Sequence, residues 1–169
     1  LNQKINIGVV GNGSWATALI KILTEHPSTF IHWWMRSQDS VDYINENLHN
    51  PKYLSSVELH PEKFKATTDL QSVVDASDII LLAVPSAFLN QALSNIQLPN
   101  NKTYITAIKG IEPNSKQVVA QYLKQNHQIP LENIVLISGP CHAEEVAWEK
   151  LSYLTISGLD EDRTSKVSE

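Results

Sequence analysis

The chain has 169 residues, 42 % apolar and 18 % charged, with 13 Lys plus Arg against 18 Asp plus Glu and a formal net charge of −5. That is the composition of an ordinary folded domain, long enough to bury a sizeable core and neither disordered nor low in complexity. The acidic balance and scattered basic residues argue against a nucleic-acid partner, and the longest apolar run, Ile79–Val84, falls far short of the roughly 20 residues that cross a bilayer.

Ile5–Val10 predicts a buried strand; broken by Asn6 and Gly8 and followed by no cleavage-like site, it does not read as a secretory leader. Trp15, Ala18, Leu19, Ile22 and Leu23 recur at i, i+3, i+4, i+7 and i+8, one face of a helix, which Pro27 ends. Phe30–Met35 reads as a second strand, Asp39–Asn47 as a short helix, and Asn50-Pro51 opens a loop. Phe64–Thr67 is a weaker strand, and Asp69 is placed to cap a helix over Leu70–Ala76. Ile79–Ala83 is the clearest strand; Ala87, Leu89, Ala92, Leu93 and Ile96 predict a helix after it. Tyr104–Ile108 follows as a strand, Val118–Leu123 sits in a helical stretch, and Ile134–Ile137 is a strand stopped by Ser138-Gly139-Pro140. His142–Trp148 reads as helical, Tyr153–Ile156 as a last strand, and 158–169 as the stump of a helix.

Strands alternating with helices predict an α/β fold, a doubly wound and mostly parallel sheet with helices on both faces. The strands are continuous apolar runs, as expected when both faces are covered. Ligands in such sheets sit beyond the carboxyl ends of the strands, so the residues just past each strand carry the functional reading.

After the first strand stands Gly11-Asn12-Gly13-Ser14-Trp15-Ala16, a G-x-G-x-x-A loop that opens a helix inside a βαβ unit. Gly11 allows the tight turn, Gly13 lets a pyrophosphate approach the backbone, and Ala16 is small enough for close helix–strand packing. The helix start offers free N–H groups and the positive end of its dipole. In this context the loop is Rossmann-like and binds a dinucleotide; the Gly-Lys-Ser/Thr of a Walker loop is missing. The second strand ends at Arg36, where an NAD site usually carries an acidic residue for the ribose hydroxyl. A guanidinium pairs with a 2′-phosphate instead, so NADP is favoured over NAD.

On spacing alone, Lys109 fits a solvated strand cap as well as a ligand contact. Cys141 is the single cysteine, so no disulfide forms within the chain, which suits a reducing cytoplasm; by default it is a packing residue. His142 reads first as a surface histidine. The remaining histidines show no metal spacing, so no metal is expected. His32 is expected to pack within its strand, and Trp33 and Trp34 to pack on opposite faces of the sheet.

Together these motifs, with Tyr53-Leu54, Ala83-Val84-Pro85-Ser86, Lys109-Gly110-Ile111-Glu112 and Ser138-Gly139-Pro140 running to Ala143-Glu144-Glu145-Val146-Ala147, resemble the N-terminal domain of bacterial NAD(P)-dependent glycerol-3-phosphate dehydrogenase. The resemblance covers about Ile5 to Ile156. It implies hydride exchange between dihydroxyacetone phosphate and sn-glycerol 3-phosphate, a phospholipid precursor, by a cytoplasmic homodimer. It puts Gly11, Asn12, Gly13, Ser14, Trp15, Arg36, Tyr53, Pro85, Lys109 and Ala143 on the cofactor. Lys109, Gly139 and Cys141 would meet the substrate, with Lys109 polarising its C2 oxygen. Three positions depart from the family: Ala16 replaces a common Gly, Cys141 a common Ser, and His142 a common apolar residue. Residues 1–157 are expected to form the dinucleotide-binding domain, and 158–169 to begin a missing helical substrate domain, so that this piece alone is nearly inactive. The alternatives are a free-standing redox-sensing module and the cofactor domain of another hydroxy acid dehydrogenase.

Overall fold

Period-two alternation inside short apolar runs decides the layering of this fold. In the computed structural model, which describes residues 4–169, the chain runs β1 (Ile5–Val10), α1 (Ser14–Glu25), β2 (Thr29–Trp34), α2 (Gln38–Asn47), β3 (Phe64–Thr67), α3 (Leu70–Ala76), β4 (Ile79–Leu82), α4 (Ser86–Leu93) and β5 (Thr103–Thr106). Then come β6 (Ile111–Glu112), β7 (Gln117–Val118), α5 (Val119–His127), β8 (Ile134–Ser138), α6 (Ala143–Ala147), β9 (Thr155–Gly158) and α7 (Glu161–Ser168). Seven strands form one sheet in the order β3-β2-β1-β4-β5-β8-β9.

Successive side chains of a strand face opposite ways. Ile79 and Leu81 join Val9, Ile31 and Trp33 in a core under α1, α2 and α6. Ile80 and Leu82 join Val10 and Tyr104 in a second core under α3, α4 and α5. Both central faces are therefore dry, as the continuous apolar run of β4 requires.

Most predicted elements form, with ends shifted by a residue or two. β2 starts and stops one residue earlier than expected, although Met35 N–H still bonds Thr67 O at 3.0 Å. Asp69 caps α3 as predicted, its Oδ1 accepting from Ser72 N at 3.0 Å. Lys102 closes the other end of α3, donating to the carbonyls of Val74, Asp75 and Ser77 at 2.6, 3.0 and 2.6 Å. The helix expected to reach Ile96 ends at Leu93, and Ile96 still packs on the second core.

Two expectations are corrected. Val118 is not helical: it pairs with Ile111 in the antiparallel β6–β7 hairpin, closed where Glu112 accepts the N–H groups of Asn114 and Ser115 and Lys116 adopts φ +56°. The last strand is Thr155–Gly158 rather than Tyr153–Ile156, and it runs antiparallel to β8. After β8 the chain makes only the short α6 against α1 before returning, so no full crossover reverses it. Past β9, α7 lies against β9, its Arg163 donating to Thr103 Oγ1 at 2.6 Å.

Candidate dinucleotide-binding site

The strand order reverses around β1, which lies between β2 and β4. Above that switch point is a cavity of about 310 Å³ lined by Gly11, Asn12, Gly13, Trp34, Arg36, Tyr53, Val84, Pro85, Phe88, Gln91 and Ala92. In doubly wound sheets this is the crevice that takes the ligand. A larger cavity of about 380 Å³ lies between α1 and α7; its sheet floor includes Ile5, Ile7, Ile79, Leu81 and Ile105, and it has no glycine loop.

The loop after β1 has the predicted division of labour. Gly11 has φ +127°, and a Cβ there would stand 2.7 Å from Ala83 O, so this turn needs glycine. Gly13 has φ −79°, ordinary for any residue, and a Cβ there would meet nothing within 4 Å. Its missing side chain therefore leaves space in front of the loop rather than relieving a clash. Ala16 is fully buried against the sheet. Among the described residues, no acceptor takes the N–H groups of Asn12, Gly13, Ser14 or Trp15. Free N–H groups beside open space at a helix start suit a pyrophosphate, so the residues present fit a bound dinucleotide.

On the β2 side, Arg36 is exposed and its guanidinium carbon lies 5.9 Å from the Phe88 ring centre. Trp34 is half-buried beside them, its Nε1 donating to Thr68 O at 3.0 Å. These aromatic and guanidinium faces are of the kind that stack on a flat heteroaromatic ring. The expectation that both tryptophans pack on opposite faces of the sheet holds: Trp33 is fully buried in the first core with Nε1 on Gly11 O at 2.6 Å, and Trp34 packs partly buried on the second core while also lining the cavity. Phe88, Gln91 and Ala92 were not singled out by sequence, although their place on the first turns after β4 could have pointed to them.

Other sequence-named residues lie outside this cavity. Ser14 begins α1. Trp15 packs on the first core, its buried Nε1 without a partner among the described residues. Lys109 is exposed past β5, beyond the ligand edge of the sheet. Gly139 follows β8; a Cβ there would collide with Tyr153 O. Cys141 is buried and its Sγ donates to Tyr153 O at 3.0 Å, so the thiol serves packing. His142 is exposed as the N-cap of α6, and Ala143 begins that helix. His32 stacks edge-on against Phe30 at 5.1 Å, and its burial lowers its pKa. Among the described residues, no three His, Cys, Asp or Glu side chains are grouped to hold a metal, and no helix is long and apolar enough to cross a membrane.

Comparison with known proteins agrees with this geometry. Residues 6–164 match the family described as NAD-dependent glycerol-3-phosphate dehydrogenase N-terminus. A glycerol-3-phosphate dehydrogenase [NAD(P)+] of Pseudomonas syringae is 34 % identical over 95 % of this chain and 46 % of its own length. One of Bacillus pumilus is 35 % identical over 89 % of this chain and 44 % of its own. The crystal structure of glycerol-3-phosphate dehydrogenase from Coxiella burnetii superposes with a TM-score of 0.85 at 25 % identity, over 97 % of this chain and 50 % of that one. The chain thus spans about half the length of the curated relatives it matches. A match running from β1 into α7, on a doubly wound sheet with this glycine loop, makes the chain a member of the NAD-dependent glycerol-3-phosphate dehydrogenase N-terminal family.

Proposed function

We propose that this chain holds NAD(P) along the carboxyl edge of its sheet, as the cofactor half of an enzyme that reduces dihydroxyacetone phosphate to sn-glycerol 3-phosphate. The observation that carries the reading is the Gly11–Gly13 loop, whose residues have free N–H groups at Asn12 and Gly13 and line the same cavity as Trp34, Arg36 and Phe88. The loop would bind the pyrophosphate, with Ser14 and Trp15 at the helix start. Arg36 and Phe88 would hold the adenosine end. The Arg36 guanidinium favours a 2′-phosphate and hence NADPH. Tyr53 and Pro85 would bound the cavity between the two halves of the ligand, and Ala143 would approach the cofactor from the β8 side.

The bound dinucleotide supplies the hydride. Lys109 would place an ammonium against the C2 oxygen of the substrate and stabilise the charge that develops there. Gly139 would approach the substrate by its backbone; the Cys141 sulfur, whose S–H donates to Tyr153 O, would meet the substrate as an acceptor. We take residues 1–157 as the dinucleotide-binding unit, with 158–169 leading toward a helical substrate domain. The same reading places the enzyme in the cytoplasm as a homodimer, with a role in supplying phospholipid precursors.

The test is a titration of the chain with NADPH and with NADH, following tryptophan fluorescence. Trp34 stands in the cavity wall and should be quenched. Saturable quenching, tighter for NADPH, is the expected result; no binding of either nucleotide would sink the reading.

A further inference from the structure

A phosphate-binding loop must turn its N–H groups outward, and its carbonyl oxygens, which repel anions, away. In a trans peptide the C=O of one residue and the N–H of the next point in opposite directions. Fastening a carbonyl inward therefore aims the following N–H outward. Three successive carbonyls of this loop are fastened by side chains: Gly11 O by Trp33 Nε1 at 2.6 Å, Asn12 O by Asn50 Nδ2 at 2.9 Å, and Gly13 O by Thr17 Oγ1 at 3.1 Å. Trp33 and Thr17 belong to the same βαβ unit as the loop. Asn50 lies beyond α2.

Asn50 is 1 % exposed and its amide is fully engaged. Its two N–H bonds go to Asn12 O and to Thr17 Oγ1, both at 2.9 Å. Its Oδ1 accepts the N–H groups of Lys52 at 3.0 Å and Tyr53 at 3.2 Å. One side chain thus joins the middle of the glycine loop to the backbone that carries Tyr53, two walls of the same cavity. A buried amide with every donor and acceptor used is a rigid strut, because any rotation leaves a buried group unpaired.

We infer that Asn50 is a positioning residue that holds the Gly11–Gly13 loop in its pyrophosphate-binding shape and sets it against the Tyr53 segment. The inference rests on the dinucleotide reading above. It assigns to Asn50 the orientation of the Gly13 N–H in particular.

The experiment compares two probes on this chain: NADPH, which carries the pyrophosphate, and adenosine 2′-monophosphate, which carries the adenosine and the 2′-phosphate but no 5′-phosphate. Asn50→Asp keeps both acceptor bonds, removes both donors and sets a carboxylate against Asn12 O. It is expected to weaken NADPH at least tenfold while changing adenosine 2′-monophosphate less than twofold. Thr17→Val, which removes one acceptor of Asn50 and the hydroxyl bond to Gly13 O while leaving the Thr17 N–H on that carbonyl at 3.0 Å, should show the same split at smaller size, and Thr17→Ser should restore wild-type binding. If Asn50→Asp does not fold, Thr17→Val and Thr17→Ser decide. Equal losses for both probes, or no loss for NADPH, overturn the inference. Failure of the unsubstituted chain to bind NADPH overturns the dinucleotide reading instead.

Discussion

At the scale of single residues, the two loop glycines make different demands. Gly11 is held by its own backbone conformation and by Ala83 O, whereas Gly13 has ordinary φ and empty space where a side chain would go. Gly13→Ala should therefore leave thermal stability nearly unchanged and weaken NADPH by about tenfold or more, since a methyl would stand where the pyrophosphate approaches. Calorimetry and fluorescence titration on the same sample check both halves, and unchanged affinity would count against the loop as the phosphate site. Arg36 tests the cofactor preference. Losing one charge-assisted bond costs roughly 1.5 kcal/mol, so Arg36→Ala should weaken NADPH about tenfold and NADH much less. Similar losses for both would make Arg36 a stacking residue on Phe88 without a phosphate partner. The glycine turn and the place of Arg36 past β2 were legible in sequence because both follow from local order along the βαβ unit, whereas the close approach of Ala83 O to Gly11 and of Phe88 to Arg36 was not. Asn50 was legible only as a loop opener, because the acceptors of its N–H groups, on Asn12 and Thr17, lie 38 and 33 residues away.

At the scale of elements, α3 shows how a short helix is held at both ends. Its N-cap, Asp69, was predicted from the chain, since capping is a local geometry. Its C-terminal clamp, Lys102, arrives from the far side of β4 and α4 and takes three carbonyls at the helix end, of which Val74 O also accepts the Ser77 N–H. Asp69→Ala should cost about 1 kcal/mol, and Lys102→Met about 1.5–3 kcal/mol, because charged donors to carbonyls are stronger than neutral ones. Denaturant midpoints of the two variants check the order; a larger loss for Asp69→Ala would show that the lysine is merely solvated. The β6–β7 hairpin was not legible. Its strands are two residues each, too short for any period, and its closure depends on the buried Glu112 carboxylate accepting two backbone N–H groups.

For the molecule as a whole, acid stability follows from groups buried in one protonation state. Burial lowers the pKa of His127 and, chiefly, that of His32. In the unfolded chain both titrate near about 6.5, so on acidification the unfolded state takes up protons first. Their stabilising contribution is complete above that pH and is lost as pH falls through the folded values. Glu112 extends the loss at lower pH: the N–H groups of Ser115 and Asn114 hold its pKa below the ordinary carboxylate value, so its contribution disappears as it protonates. Urea midpoints should therefore fall from pH 7.5 to pH 5.5. His127→Phe should flatten that fall, since His127 Nε2 has no partner among the described residues to lose; an unchanged slope would remove His127 from the account. By itself the sequence determined the alternation of elements, the two-faced burial of the central strands and the glycine loop, because periodicity, capping and turn chemistry act over a few neighbouring residues. The tertiary structure alone decided the antiparallel return of β9, the second role of Trp34 as a wall of the cavity, the bond from Cys141 to Tyr153, and the strut at Asn50. Each of these depends on which distant segments are brought together, and that is a property of the assembled sheet rather than of any local stretch of chain.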